Sequence, residues 1–229
     1  MSCQLKIQDL EKISYELALE KQRELQKYVI DHRNVSPSPF HLLLLEHEPP
    51  VITLSKRPDA QEHLVATKQQ LKEAGIDVCS TDRGGDITYH GPGQLVGYPI
   101  IDLNELSLRI HGYMRFLESV IIDVLAEYGI EGHRDKSATG VWVSEAKICA
   151  MGVRVSRWVS MHGFALNVNP NMNHFNLIVP CGLAGRRVTS MQEILGEKCP
   201  SMSEIKRVVT EKFQRAINRQ AQVQQEPRP

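Results

Sequence analysis

A chain of 229 residues, 41% hydrophobic and 24% charged, has the size and composition of one globular domain with a core of its own. Its 27 basic and 27 acidic residues cancel, so no global field draws it to nucleic acid or a membrane surface, and a charged partner must be met by a local patch. Five scattered cysteines without a C-x-x-C pair argue against a disulfide framework and a structural zinc site, and fit a reducing compartment.

The N-terminal region carries Asp9, Glu11, Glu16 and Glu20 and no apolar run, unlike a secretory signal or an Arg-rich transit peptide. No stretch has the length of a membrane span, and the reading is a cytoplasmic protein. Leu10, Ile13 and Leu17, then Leu25, Tyr28 and Val29, recur at helical spacing and predict a helix over 10–30. A Pro/Ser loop follows over 34–39. Residues 41–47 and 51–54 read as strands meeting at the Pro49-Pro50 corner. His47-Glu48 does not begin an H-E-x-x-H zinc helix, because Val51 stands at the last position and two prolines interrupt.

Thr67-Lys68-Gln69-Gln70 has the form of a capping box, with Gly75 where that helix would stop. A short strand over 77–80 then leads into the densest cluster of backbone-defining residues, Arg83-Gly84-Gly85-Asp86-Ile87-Thr88-Tyr89-His90-Gly91-Pro92-Gly93-Gln94, with an apolar strand over 95–101 behind it. Glycine lets a ligand lie on the main chain and Pro92 stiffens the turn. An ordinary tight hairpin would need fewer polar groups than Arg83, Thr88, Tyr89, His90 and Gln94 supply. The spacing matches neither G-x-G-x-x-G nor a P-loop.

Met114, Leu117, Ile121, Val124, Leu125 and Tyr128 share one helical face that Gly129 closes. Residues 140–144, 147–155 and 163–168 read as three antiparallel strands, 169–188 as an irregular segment, and 201–204 as a capping box opening a helix to about 217. The domain is expected to span 1–219, with 220–229 a disordered polar tail. Strands with a few flanking helices make the fold α+β.

Cys181 sits between Pro180 and Gly182, near Arg186 and Arg187. On such a bend a thiol near cations can become a thiolate nucleophile, although most cysteines are buried small hydrophobes. Lys147 stands on a small, apolar strand and is either an edge residue or a desolvated amine able to take a proton near neutrality. His90 and His162 lie beside glycines and could hold a substrate or a proton.

Taken together, residues 83–94, Tyr98-Pro99, 140–143, 147–152, 161–167 and 180–182 resemble, in order and spacing, the lipoyl(octanoyl)-transferases of lipoate biosynthesis. The resemblance runs from roughly Leu42 to Ile194. It implies a single domain with a mixed, largely antiparallel sheet flanked by helices, like biotin and lipoate protein ligases. It also implies that Cys181 carries the acyl group and that Lys147 lowers its pKa or takes its proton. Substrate contacts would come from Arg83, Gly84, Gly85, Asp86, Ile87, Thr88, Tyr89 and His90, from Ala150, Met151 and Gly152, and from Gly163, Phe164 and Ala165, with His162 auxiliary. The implied donor is octanoyl-acyl carrier protein. The implied acceptors are lipoyl domains of 2-oxoacid dehydrogenase E2 subunits and the glycine cleavage H protein. No cofactor or metal is called for, and a monomer is expected. A basic patch of Arg83, Arg154, Arg157, Arg186 and Arg187 would meet the acidic carrier. Competing readings are an ATP-dependent ligase on the same fold, an amidotransferase between carrier domains, and a non-catalytic module that binds carriers.

Overall fold

The computed structural model describes residues 4–33, 39–179 and 186–223. The framework is an eight-stranded mixed sheet in the order β1 (Gln4–Ile13), β2 (Pro39–His47), β6 (Gln94–Ile100), β10 (Val159–Asn167), β9 (Ala146–Ser156), β8 (Val141–Val143) and β7 (His133–Arg134), with the two-residue β11 (Arg187–Val188) also on β9. The β1–β2 and β11–β9 pairs are parallel and the others antiparallel. A second sheet joins β4 (Asp77–Ser80), β3 (Val51–Leu54) and β5 (Thr88–His90) in that order.

The four leucines of β2 show why this sheet is covered on both sides. A strand sends alternate side chains to opposite faces. Leu42 and Leu44 join the core with Leu95, Phe164 and Leu166, packed by Leu117, Ile121, Val124 and Leu125 of α3 (Ile110–Ala126) and by Val209 and Phe213 of α5 (Met202–Val223). Leu43 and Leu45 turn to the other face, with Val96, Tyr98 and Ala165, beneath Ala18 of α1 (Tyr15–Asp31). An unbroken apolar run is therefore a strand buried on both faces.

Several boundaries differ from expectation, and β10 already begins at Val159 where the strand was expected from 163. Residues 10–13 are not helical: they finish β1, and α1 starts only after Ser14, whose hydroxyl accepts the Leu17 N–H. A bulge between Asp9 and Lys12, with Glu11 at φ 52°, shifts the strand's parity. Leu5 and Ile7 therefore pack toward α3 and α5, while Leu10 and Ile13 pack toward α1, which gives them an apparently helical spacing. Pro39, expected in a loop, is the first residue of β2. At the other end, α5 continues through residues 220–223, inside the stretch expected to be disordered. The Gln220 amide there donates to the Leu106 carbonyl at 3.0 Å, a tertiary anchor invisible to composition. Within the irregular 169–188 stretch, Met172–Leu177 forms a 3-10 turn. The capping box on α2 (Lys68–Ala74) is present in full, with Gly75 in the left-handed conformation at its end.

Candidate active site

Between the main sheet and β5 lies a narrow cavity whose envelope, including space open to solvent, is about 490 Å³. Its floor comes from two cross-strand pairs, Ala150 with Ala165 and Gly152 with Gly163. Four small residues in a row leave a trough where larger side chains would fill the space. The roof is the glycine-rich segment, which leaves the small sheet after Ser80 and returns as β5. The Gly84 N–H donates to the Val153 carbonyl at 2.9 Å, seating the roof on β9. A Cβ at Gly152 would lie 2.6 Å from the Gly84 carbonyl oxygen, so this close approach requires glycine.

The lining includes several polar side chains, yet their heads are engaged elsewhere. The Tyr15 hydroxyl donates to Thr81 at 2.7 Å, and His90 Nδ1 meets Gln94 Oε1 at 2.8 Å. The Arg83 guanidinium turns to the Thr53 hydroxyl and carbonyl at 2.8 and 3.0 Å. One Asp86 oxygen accepts the Ile87 N–H, and the other lies 2.7 Å from His63 Nδ1. His162 Nε2 meets Asp82 at 2.9 Å. Tyr98 bonds to His47 Nε2 at 2.7 Å, while His47 Nδ1 faces the Ile13 carbonyl. The chamber consequently presents mostly carbon to whatever enters it.

Burial keeps His47, His90 and His162 neutral. Desolvation pulls His47 down to about 4 and His90 well below the usual imidazole value, and it lowers His162 although Asp82 pulls the other way. A neutral His47 facing a carbonyl must carry its proton on Nδ1, so Nε2 accepts from the Tyr98 hydroxyl. Burial works to raise Asp82, but His162 and Arg154 outweigh it and hold the carboxyl below its ordinary value. Burial also drives the Tyr98 phenol well above its ordinary value.

Lys147 stands on β9 three residues before Ala150 and is 6% exposed. It is therefore a buried amine and not an edge residue. Its Nζ lies 5.0 Å from the centre of the Trp142 ring, and the Arg186 guanidinium lies 4.6 Å from the same ring. Both cationic side chains thus approach one indole, and Arg186 also pairs with Asp135 at 2.8 Å. Beside it, buried Glu118 accepts the Gly140 N–H at 3.2 Å and pairs with Arg115 and Arg134. The Lys147 carbonyl accepts the Thr189 N–H at 3.0 Å, and β11 pairs alongside.

Cys181 lies outside the described residues. The chain approaching it is held in register, since Leu64 bridges Ile178 and the Val179 N–H donates to the His63 carbonyl at 2.8 Å. His63, set against Asp86, thus links the roof to this segment.

The cavity gathers thirteen of the residues singled out from sequence: Arg83, Gly85–Thr88, His90, Ala150–Gly152 and His162–Ala165. It does not gather Gly84, whose role is to seat the roof, Lys147, which lies three residues before the lining on β9, or Tyr89, which is buried in the small sheet's core with its hydroxyl on His174. Tyr15 and Tyr98 line the cavity and were not singled out as site residues. Tyr98 lay within a motif of the resemblance, whereas Tyr15 has no local signal and arrives through the docking of α1. The expected basic patch is dispersed: Arg83 turns inward, Arg154 binds Asp82 and Arg186 binds Asp135, leaving Arg157 and Arg187 exposed. Among the described residues no helix is long and apolar enough to cross a membrane.

A family model described as the lipoyl protein ligase A/B catalytic domain matches residues 19–214. The octanoyltransferase of Flavobacterium johnsoniae is 44% identical over 218 residues, covering 90% of this chain and 93% of its own. That of Gloeobacter violaceus is 49% identical over 191 residues, covering 83% and 79%. Among solved structures, a bipartite lipoate protein ligase from Thermoplasma acidophilum superposes with a TM-score of 0.70 at 14% identity, covering 95% of this chain and 85% of that one. Biotin protein ligase from Aquifex aeolicus, in complex with biotin and ATP, does so at 0.55 and 15%, covering 93% and 71%. At such identities the structural likeness speaks for the fold alone.

Proposed function

Because the chain belongs to the lipoyl protein ligase A/B catalytic-domain family and, within it, to the octanoyltransferases, we propose that its carbon-lined cavity holds an octanoyl chain with the reacting carbonyl toward Lys147. The enzyme moves octanoyl groups in protein lipoylation. One observation carries the finer reading: polar side chains around the cavity turn their heads to protein partners, and the floor runs along β9 to a buried lysine. An aliphatic chain needs such a lining, because any polar group left unpaired there would cost free energy on burial.

In the proposed reaction the donor is octanoyl-acyl carrier protein and the nucleophile is Cys181. Lys147 takes the thiol proton, and the thiolate attacks the thioester carbonyl. A new carbon–sulfur bond forms to Cys181 as the bond to the carrier's pantetheine sulfur breaks, and the proton passes to that leaving thiol. In the second half, the Nε amine of a lysine on a lipoyl domain attacks the Cys181 thioester. A carbon–nitrogen bond forms, the bond to sulfur breaks, and Lys147 accepts the amine proton and returns it to the cysteine. The Arg186 guanidinium on the Trp142 ring supports this reading, since together with the Lys147 ammonium formed by that transfer it favours a thiolate over a thiol. Backbone N–H groups near Cys181 would hold the oxyanion.

The test is transfer to an isolated lipoyl domain from octanoyl-acyl carrier protein without ATP. The proposal expects stoichiometric octanoylation of one lysine. Modification only with free octanoate and ATP would make this an adenylate-forming ligase.

A further inference from the structure

The paired strands β9 and β10 act as a ruler along the cavity. Their register runs Ala150–Ala165, Met151–Phe164, Gly152–Gly163, Val153–His162 and Arg154–Met161. Lys147 precedes the first of these pairs. The lining stops at His162, and neither Val153, Arg154 nor Met161 reaches the cavity. From the Ala150–Ala165 pair to the Val153–His162 pair the strands advance about 10 Å, roughly the span of an extended eight-carbon chain.

What closes that far end is a built structure. His162 has φ 57°, a left-handed backbone uncommon for a residue with a side chain. Its N–H is held by the Gln22 side chain of α1 at 2.8 Å, and its ring by Asp82 at 2.9 Å. Arg154 grips the other Asp82 oxygen from the surface at 2.8 Å. Tyr98 meets the imidazole edge-on, with ring centres 6.1 Å apart. The outer side of this assembly is an ion pair and its inner side is aromatic carbon. The imidazole is itself 2% exposed.

Building on the octanoyl reading of the cavity, we propose that His162, latched by Asp82, is the end wall that sets the length of the acyl chain. The chain's terminal methyl packs against the imidazole and the Tyr98 ring, and a longer chain must displace a side chain held at its backbone, its ring and its partner. His162 is then a specificity-determining residue and takes no proton in the reaction. Each methylene that gains a buried site adds about fourfold to affinity, so moving the wall changes the ranking of substrates.

The experiment measures kcat/KM for cysteine acylation across a series of carrier-bound acyl groups from hexanoyl to dodecanoyl. In His162→Ala, the decanoyl-to-octanoyl ratio should rise at least tenfold over wild type. His162→Phe, which fills more of the chamber, should shift the preference toward hexanoyl. Asp82→Asn, which still accepts the imidazole proton, should keep the wild-type ranking, whereas Asp82→Ala should relax it toward longer chains. If His162→Ala does not fold, Asp82→Ala carries the same test. Variants that acylate with the wild-type ranking overturn the end-wall assignment. A wild type that accepts no acyl thioester of any length overturns the transferase reading instead.

Discussion

His47 connects the chamber's lining to the enzyme's behaviour in acid. It is fully buried, bonded to the Tyr98 hydroxyl and to the Ile13 carbonyl, and near Glu16, His90 and His162. Desolvation lowers it from 6.5 to about 4. The folded protein therefore keeps this ring neutral over a range in which the unfolded chain binds a proton. Stability from this site is fully present above pH 6.5 and is lost as the pH falls toward 4. The loss is about 2 kcal/mol by pH 5 and about 3 kcal/mol by pH 4. Glutamine at this position can still accept the Tyr98 proton but does not titrate. Urea denaturation of the wild type and His47→Gln at pH 7, 6, 5 and 4.5 isolates the effect, because any constant cost of the substitution cancels in the pH dependence. Wild type should lose about 2 kcal/mol more than the variant between pH 7 and 5. Parallel curves would mean that His47 titrates normally in the folded state, and the account of a dry chamber would fail with it.

Three further outcomes follow from the same geometry. Gly152→Ala puts a methyl 2.6 Å from the Gly84 carbonyl oxygen, well inside the 3.4 Å where ordinary contact begins. Lifting the roof should cost about 1–3 kcal/mol and slow acylation, and an unchanged melting temperature would show that the roof does not rest there. Lys147→Ala should keep the fold yet acylate far more slowly near neutral pH, with the deficit shrinking as rising pH ionises the thiol. A wild-type rate at pH 7 would remove Lys147 from its proposed role. Arg187→Glu should raise KM for the acidic carrier without affecting a small octanoyl-pantetheine thioester, and equal KM values for the carrier would discount that contact.

Features encoded by neighbouring residues were legible in the sequence. The capping box of α2, the β8–β10 meander and the strand character of β2 each depend on contacts or periods a few residues long. The glycine-rich roof was legible too, because a close backbone approach leaves a compositional mark at Gly84 and Gly152. What was hidden depends on tertiary partners. The β1 bulge gives Leu10 and Ile13 a helix-like spacing that only the pairing with β2 reinterprets. Tyr15 reaches the cavity because α1 docks across the sheet, and Tyr89 turns from it because β5 faces the core of the small sheet. The dispersal of the arginine patch likewise follows from partners far away in sequence, Asp82 for Arg154 and Asp135 for Arg186.

In the proposed relay Cys181 carries the octanoyl group between donor and acceptor. Its most direct test is intact-protein mass, with peptide mapping, after mixing the enzyme with octanoyl-acyl carrier protein in the absence of ATP. A single octanoyl adduct is expected on Cys181, discharged when a lipoyl domain is added and absent from Cys181→Ala. Full transfer to the lipoyl domain by Cys181→Ala, or an adduct on another residue that turns over at the same rate, would contradict it.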